Sequence, residues 1–276
     1  MDGILDNLEN AIQTWNEKMA EIWLLLTQSP EEFKGGGIWS TMQTIHGGLL
    51  AIGLALLVLF FVFGLVKTCT NMQEIKRPEQ AFRLFIRFAV ARLLVTYGMD
   101  FVVAIFKIVQ GMISNVMGTV GIGTVTNTAI PEEIINAVSD VGFLDSIPLW
   151  AITLLGGIFI TILSFVLILT VYSRFFKLYM YAALSPIPFA AAAGESTQNI
   201  SISFIKSYIG VCMEGVIIVL SCVIYSAFVG SPPAIDASAS AVSMLWTYIG
   251  EVIFNMLILV GTVKMSDYVV KEMMGL

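Results

Sequence analysis

Charge is what this sequence has least of: Asp, Glu, Lys and Arg make up 12% of its 276 residues, about half the share of an ordinary soluble domain. So few ionised groups cannot cover a water-facing surface, which excludes a soluble globular enzyme. Basic residues number 14 against 20 acidic ones, a net charge of −6, and that excludes a soluble nucleic-acid binder working by phosphate neutralisation. Histidine occurs once, at His46, so neither a Ser-His or Cys-His pair nor an HExxH helix can be assembled. The three cysteines, Cys69, Cys212 and Cys222, form no CxxC and no zinc spacing. No catalysis, metal or cofactor is expected from these residues.

What is present is long apolar sequence. No charged residue occurs between Gly35 and Val66, or between Ser146 and Ser173. At about 1.5 Å per helical residue each run is long enough to cross a hydrocarbon core about 30 Å thick. The spans predicted here are 47–66 and 147–172, the latter anchored by Trp150 and Tyr172. Three further apolar segments, 88–109, 208–229 and 245–263, carry isolated charges and are read as spans as well. The segment 178–194 is shorter and holds Ser185-Pro186-Ile187-Pro188. Two prolines remove two backbone donors and disfavour helix before each ring, so a re-entrant or kinked hairpin broken at Ser185, Pro186 and Pro188 is expected.

Lys and Arg assign the sides. Lys67, Lys76, Arg77, Arg83 and Arg87 crowd the connection after the first span, which the positive-inside rule places in the cytoplasm. The N-terminus is then outside. The connection from Gly111 to Ser146 has acids but no basic residue, Arg174 and Lys177 follow the third span, and Lys264 and Lys271 sit in the C-terminal tail. These agree if 178–194 does not change sides. The expected architecture is all-α: five transmembrane helices and one re-entrant hairpin in residues 38–276, with a cytoplasmic C-terminus in the cell membrane. Residues 1–37 form an extracytoplasmic amphipathic helix and a Gly35-Gly36-Gly37 joint. The helix is read from apolar residues at Leu8, Ile12, Trp15 and Met19 with acids opposite. Acidic charge disfavours an anionic lipid surface, so Leu8, Ile12, Trp15 and Met19 are expected to dock a partner, with packing on the chain's own spans as the competing outcome. Pro131-Glu132-Glu133 predicts a short helix running through Val141.

Charges inside spans are costly and are expected to face a bundle interior, a partner or water. Asp100 and Lys107, seven residues apart, lie about 20° from a common face, and Arg92 completes one polar sector. These groups are too far apart along the helix to pair with one another. Arg92 is therefore paired with Glu214, between helices or between subunits, and Asp100 and Glu251 are placed along a wet path. Snorkelling bases and acids that merely join helices are the competing reading.

The acidic N-terminus, the five spans and the stretch RFFKLYMYAALSPIPFAAAAGE, Arg174 to Glu195, together resemble the TrbL/VirB-type polytopic channel subunit of conjugative type IV secretion systems, in its short, Gram-positive-type form. The resemblance implies a membrane-embedded homo-oligomer among other secretion subunits, separate ATPases among them, that assists transfer of single-stranded DNA with its relaxase, or of protein cargo. It implies lipid contact and no small-molecule substrate. A secondary transporter or ion-conducting protein, which also uses broken helices and intramembrane acids, and a structural scaffold remain open on the residues alone.

Overall fold

The computed structural model describes residues 2–70, 78–120, 128–139, 141–142, 146–229 and 239–276, and no strand occurs among them. The α-helices among the described residues are α1 (Asp2–Thr27), α2 (Gly37–Thr70), α3 (Pro78–Thr96), α4 (Gly98–Val120), α5 (Glu132–Ser139), α6 (Ser146–Leu184), α7 (Pro186–Ala190), α8 (Gln198–Phe228), α9 (Ala241–Lys264) and α10 (Ser266–Met274). Among the described residues, five stretches are long and apolar enough to cross a membrane: Phe33–Lys67, Gly98–Thr119, Ser146–Leu184, Gln198–Phe228 and Ala241–Met274. The chain is an all-α polytopic membrane protein. Lys76 and Arg77, on which the assignment of sides partly rests, lie outside the described residues.

The described residues form two compact units. One contains 1–27, 113–172 and 215–266; the other contains 28–112, 173–214 and 267–276.

In the first unit the apolar stripe of α1 is consumed by the chain itself. Leu8, Ile12, Trp15 and Met19 are at most 4% exposed, so the expectation that they dock a partner is corrected: they are core residues. The reason lies on α6, where Gly157 lets α1 approach so closely that a β-carbon there would stand 3.1 Å from the Asn7 carbonyl oxygen and 3.5 Å from Ala11 Cβ. Further along the same two helices the Tyr172 hydroxyl donates to Glu21 at 2.6 Å. The helices are therefore parallel. Gly156, next in sequence, receives Ile249 of α9. The expected short helix after Pro131 is α5, which buries Ile134 and Val138, one turn apart. Its approach is fastened by Asn16, which exchanges two hydrogen bonds with the backbone of Thr128, and by Tyr248, which donates to the Ala129 carbonyl.

The second unit begins with the joint. Lys34, Gly35 and Gly36 all have positive φ, 52°, 74° and 76°, a conformation that ends one helix before the next can start. The span read as 88–109 is interrupted: α3 ends at Thr96 and α4 starts at Gly98. Phe189 presses on Gly98, where a β-carbon would meet its ring at 2.9 Å. Only the later part, Gly98–Thr119, belongs to the long apolar set, and Arg92 falls on α3 instead.

The hairpin at 178–194 is also placed differently. Residues 178–184 end α6, Ser185 stays helical (φ −52°, ψ −33°), and α7 follows at once. The prolines occupy the first turn of α7, where backbone donors have no intrahelical role. The carbonyl of Ala182, which a residue other than proline at 186 would bond, accepts the Ser185 hydroxyl at 2.9 Å. The break comes at Gly194, which is extended (ψ 140°). Close backbone approach makes glycine necessary there: a β-carbon would stand 2.6 Å from Thr197 Oγ1 and 3.1 Å from the Phe60 carbonyl of α2. Gly53, on the same face of α2, meets Pro186 with only 2.8 Å to spare for a β-carbon. Thus α2 lies along α7 through a stripe of small side chains and runs parallel to it.

Candidate functional site

Arg174 and Lys177 are one turn apart on α6, just beyond its charge-free stretch, and Tyr181 follows one turn later on the same face. Antiparallel α8 brings Val211, Cys212 and Glu214 against them. From the C-terminal end, α10 brings Asp267 and Lys271. Its approach to α8 is set at Gly210, where Val270 is in contact range.

Lys177 is the centre of this group. Its ammonium donates to Glu214 Oε1 at 2.9 Å and to Asp267 Oδ1 at 3.2 Å. Glu214 is the deep partner, with 6% of its side chain exposed, whereas Asp267 is partly open and also accepts from Lys271 at 2.8 Å. One ammonium therefore holds α6, α8 and α10 together. Beside it is a cavity of about 340 Å3 lined by Lys177, Tyr181, Ser207, Glu214, Asp267 and Lys271.

Arg174 is buried more completely, at 1% exposure. It meets no carboxylate directly among the described residues. Its Nε and Nη2 donate to the Val211 and Cys212 carbonyls at 3.4 and 3.2 Å, and the guanidinium carbon lies 5.7 Å from the centre of the Phe106 ring. Nη1 has no hydrogen-bond partner among the described residues. The same unit carries an aromatic layer in which Phe189 meets Phe101 and Phe204 edge-on. Tyr208 completes it by donating to the Val102 carbonyl of α4 at 2.9 Å.

The residues expected to form a polar sector are distributed otherwise. Glu214 is paired, but with Lys177; the pairing with Arg92 does not occur within the chain, because Arg92 is exposed on α3. Asp100 is exposed in the first turn of α4. Lys107 is exposed and stands 3.7 Å from Glu31. Glu251 is half-buried on α9, in the other unit. Sequence reading missed Arg174, Lys177 and Asp267 as site residues: Arg174 and Lys177 served to assign sides, and Asp267 was not singled out. The available signal was spacing, since three side chains one turn apart at the end of an uncharged helix mark a polar face. What this arrangement does chemically is bind charge to charge between helices.

Comparison with known proteins adds one finding. Residues 15–186 match the family described as TrbL/VirB6 plasmid conjugal transfer like protein. The chain belongs to this family. Neither the curated proteins nor the solved structures contain a match. The TrbL/VirB6 match takes in Arg92, Asp100, Lys107, Arg174, Lys177, Ser185 and Pro186, and ends before Glu214, Glu251 and Asp267. Lys177 of this TrbL/VirB6 chain is therefore inside the matched region while both its carboxylates are outside it.

Proposed function

We propose that the chain is a membrane-embedded, homo-oligomeric subunit of a conjugative type IV secretion system. In this reading it assists transfer of single-stranded DNA with its relaxase, or of protein cargo, across the cell membrane. Separate ATPases supply the energy. The match to a plasmid conjugal transfer family over residues 15–186 carries the reading, and the five long apolar stretches support a site of action within the bilayer. The N-terminus is assigned outside and the C-terminus to the cytoplasm. The Lys and Arg distribution supports this.

The centre at Lys177 is assigned the task of holding the helices of the translocation unit in one arrangement. The test is conjugative transfer from a donor strain lacking the chain. Transfer is expected to fall to background, to return with the native chain, and to return only partially with Lys177→Met. Unchanged transfer in the deletion strain would refute the reading.

A further inference from the structure

The last helix is held differently from the one before it. α9 buries nine apolar side chains over its 24 residues, whereas Ser266 and Val270 are the only buried residues among the nine of α10. Val270 seats against Gly210 of α8, while Tyr268 and Met273 stand exposed. A helix of nine residues has little stability of its own. One apolar contact and a set of charges therefore keep α10 in place.

Those charges are arranged so that α10 leaves without stranding any of them. Asp267 accepts from Lys177 through Oδ1 at 3.2 Å and from Lys271 through Oδ2 at 2.8 Å. Lys271 lies one turn further along α10 itself and travels with Asp267. Lys177 keeps Glu214 at 2.9 Å, the nearer and more deeply buried of its two acids. Lifting α10 thus breaks one partly open ion pair, and pairs of that kind contribute little. Two carboxylates bonded to one ammonium also repel each other, so Glu214 and Asp267 compete for Lys177.

The packing beneath the helix agrees with this. The cavity of about 340 Å3 is bounded by all three helices, through Lys177 and Tyr181 of α6, Ser207 and Glu214 of α8, and Asp267 and Lys271 of α10. Walls of that polarity around a space of that size hold water. Beside Val270, α10 rests on a wet space and not on a core.

We propose that α10 is a releasable strap over this cavity, closed while Asp267 shares the Lys177 ammonium and lifted when that ammonium rests with Glu214 alone. The two acids act in opposition: Asp267 draws the strap down, and Glu214 weakens its hold. The strap is a property of the chain by itself and stands or falls apart from the conjugation role.

The experiment is thiol labelling of the purified full chain in detergent with a water-soluble maleimide. Val270→Cys reports on the strap, and Val95→Cys, at a buried position of α3, reports on general loosening. The parent chain gives the background from Cys69, Cys212 and Cys222. Rates are read as the ratio of position 270 to position 95, so that a loss of overall stability cancels. The ratio is expected to be about ten in the otherwise native chain, because small, weakly anchored elements open far more often than the core. Asp267→Asn should raise it about two- to fivefold, and Glu214→Gln should lower it by a similar factor. A ratio near one in the native chain would overturn the strap, since α10 would then be as fixed as the core. A ratio that Glu214→Gln raises or leaves unchanged would overturn it as well, because the two acids would then belong to one static clamp.

Discussion

Replacing Lys177 by methionine isolates the energetics of the charged centre. The substitution keeps the length and apolar stem of the side chain but removes the donor that meets Glu214 at 2.9 Å and Asp267 at 3.2 Å. Asp267 keeps Lys271 at 2.8 Å and is open to water, so its loss is a fraction of a kcal/mol. Glu214, with 6% of its side chain exposed, keeps no cation within 4 Å among the described residues. Stranding a buried charge by removing one partner costs about 3–5 kcal/mol. Because a third of the Lys177 side chain is exposed and the neighbouring cavity admits water, the lower end, about 3 kcal/mol, is expected. At roughly 2–4 °C per kcal/mol the melting temperature in detergent should drop by about 6–12 °C. Adding Glu214→Gln removes the stranded charge and should restore more than half of that loss. The assay is a double-mutant cycle on Lys177→Met and Glu214→Gln, followed by thermal unfolding of the purified chain. If the two substitutions are simply additive, Glu214 is not held by Lys177 and the reasoning fails. The exchange Arg92→Glu with Glu214→Arg provides the contrast, and no mutual rescue is expected within the chain.

Three other outcomes follow from particular contacts. Gly53→Val and Gly194→Ala each drive a side-chain carbon into backbone, at 2.9 Å from the Pro186 carbonyl oxygen and at 3.1 Å from the Phe60 carbonyl. Each should cost about 1–3 kcal/mol, whereas Gly111→Ala, with open space around it, should be neutral or stabilising in the same melts. Trp15→Ala should cost about 3–5 kcal/mol in the isolated chain, without any partner present; full stability there would return Trp15 to a docking role. Arg174→Met should be neutral or stabilising, because a fully buried guanidinium with one unpaired nitrogen recovers little of its desolvation cost. Melts of that variant falling by several degrees would show that the two carbonyl contacts and the Phe106 ring compensate it.

Some of this was legible in the residues because the signal is local. Charge-free runs longer than a bilayer is thick mark spans wherever they occur, and the glycines of the joint before the first span supply two of its three positive φ values, at Gly35 and Gly36, with Lys34 the third. The helix after Pro131 likewise follows from its own first turn. Other features depend on who the neighbour is. The periodicity of Leu8, Ile12, Trp15 and Met19 states that one face of α1 is buried, but an identical pattern serves a partner or the chain's own α6; Gly157 decides it, and nothing in α1 mentions Gly157. The two prolines suggest a break, yet Ser185 supplies a hydroxyl to the Ala182 carbonyl that Pro186 leaves without its backbone donor, and the chain turns later, at Gly194. Glu214 was recognisable as a charge in need of a counter-ion. Its choice of Lys177 over Arg92 depends on the antiparallel course of α6 and α8 and on the arrival of α10, neither of which a single helix encodes.

The close seating of α2 on Pro186 and Gly194 divides its hydrophobic positions into two populations with different tolerances. Val58, Leu59, Val62, Phe63 and Val66 face outward, where lipid or another chain adapts to whatever shape is offered, and leucine can replace any of them. Gly53 and Gly64 face backbone, which does not yield. A hydropathy profile counts both populations alike and would rate a leucine at Gly53 as a better span. In the molecule that change would raise the tendency to insert while removing the seat on which the α7 turn rests. For this helix, insertion into the membrane and assembly within it place opposite demands on the same few positions.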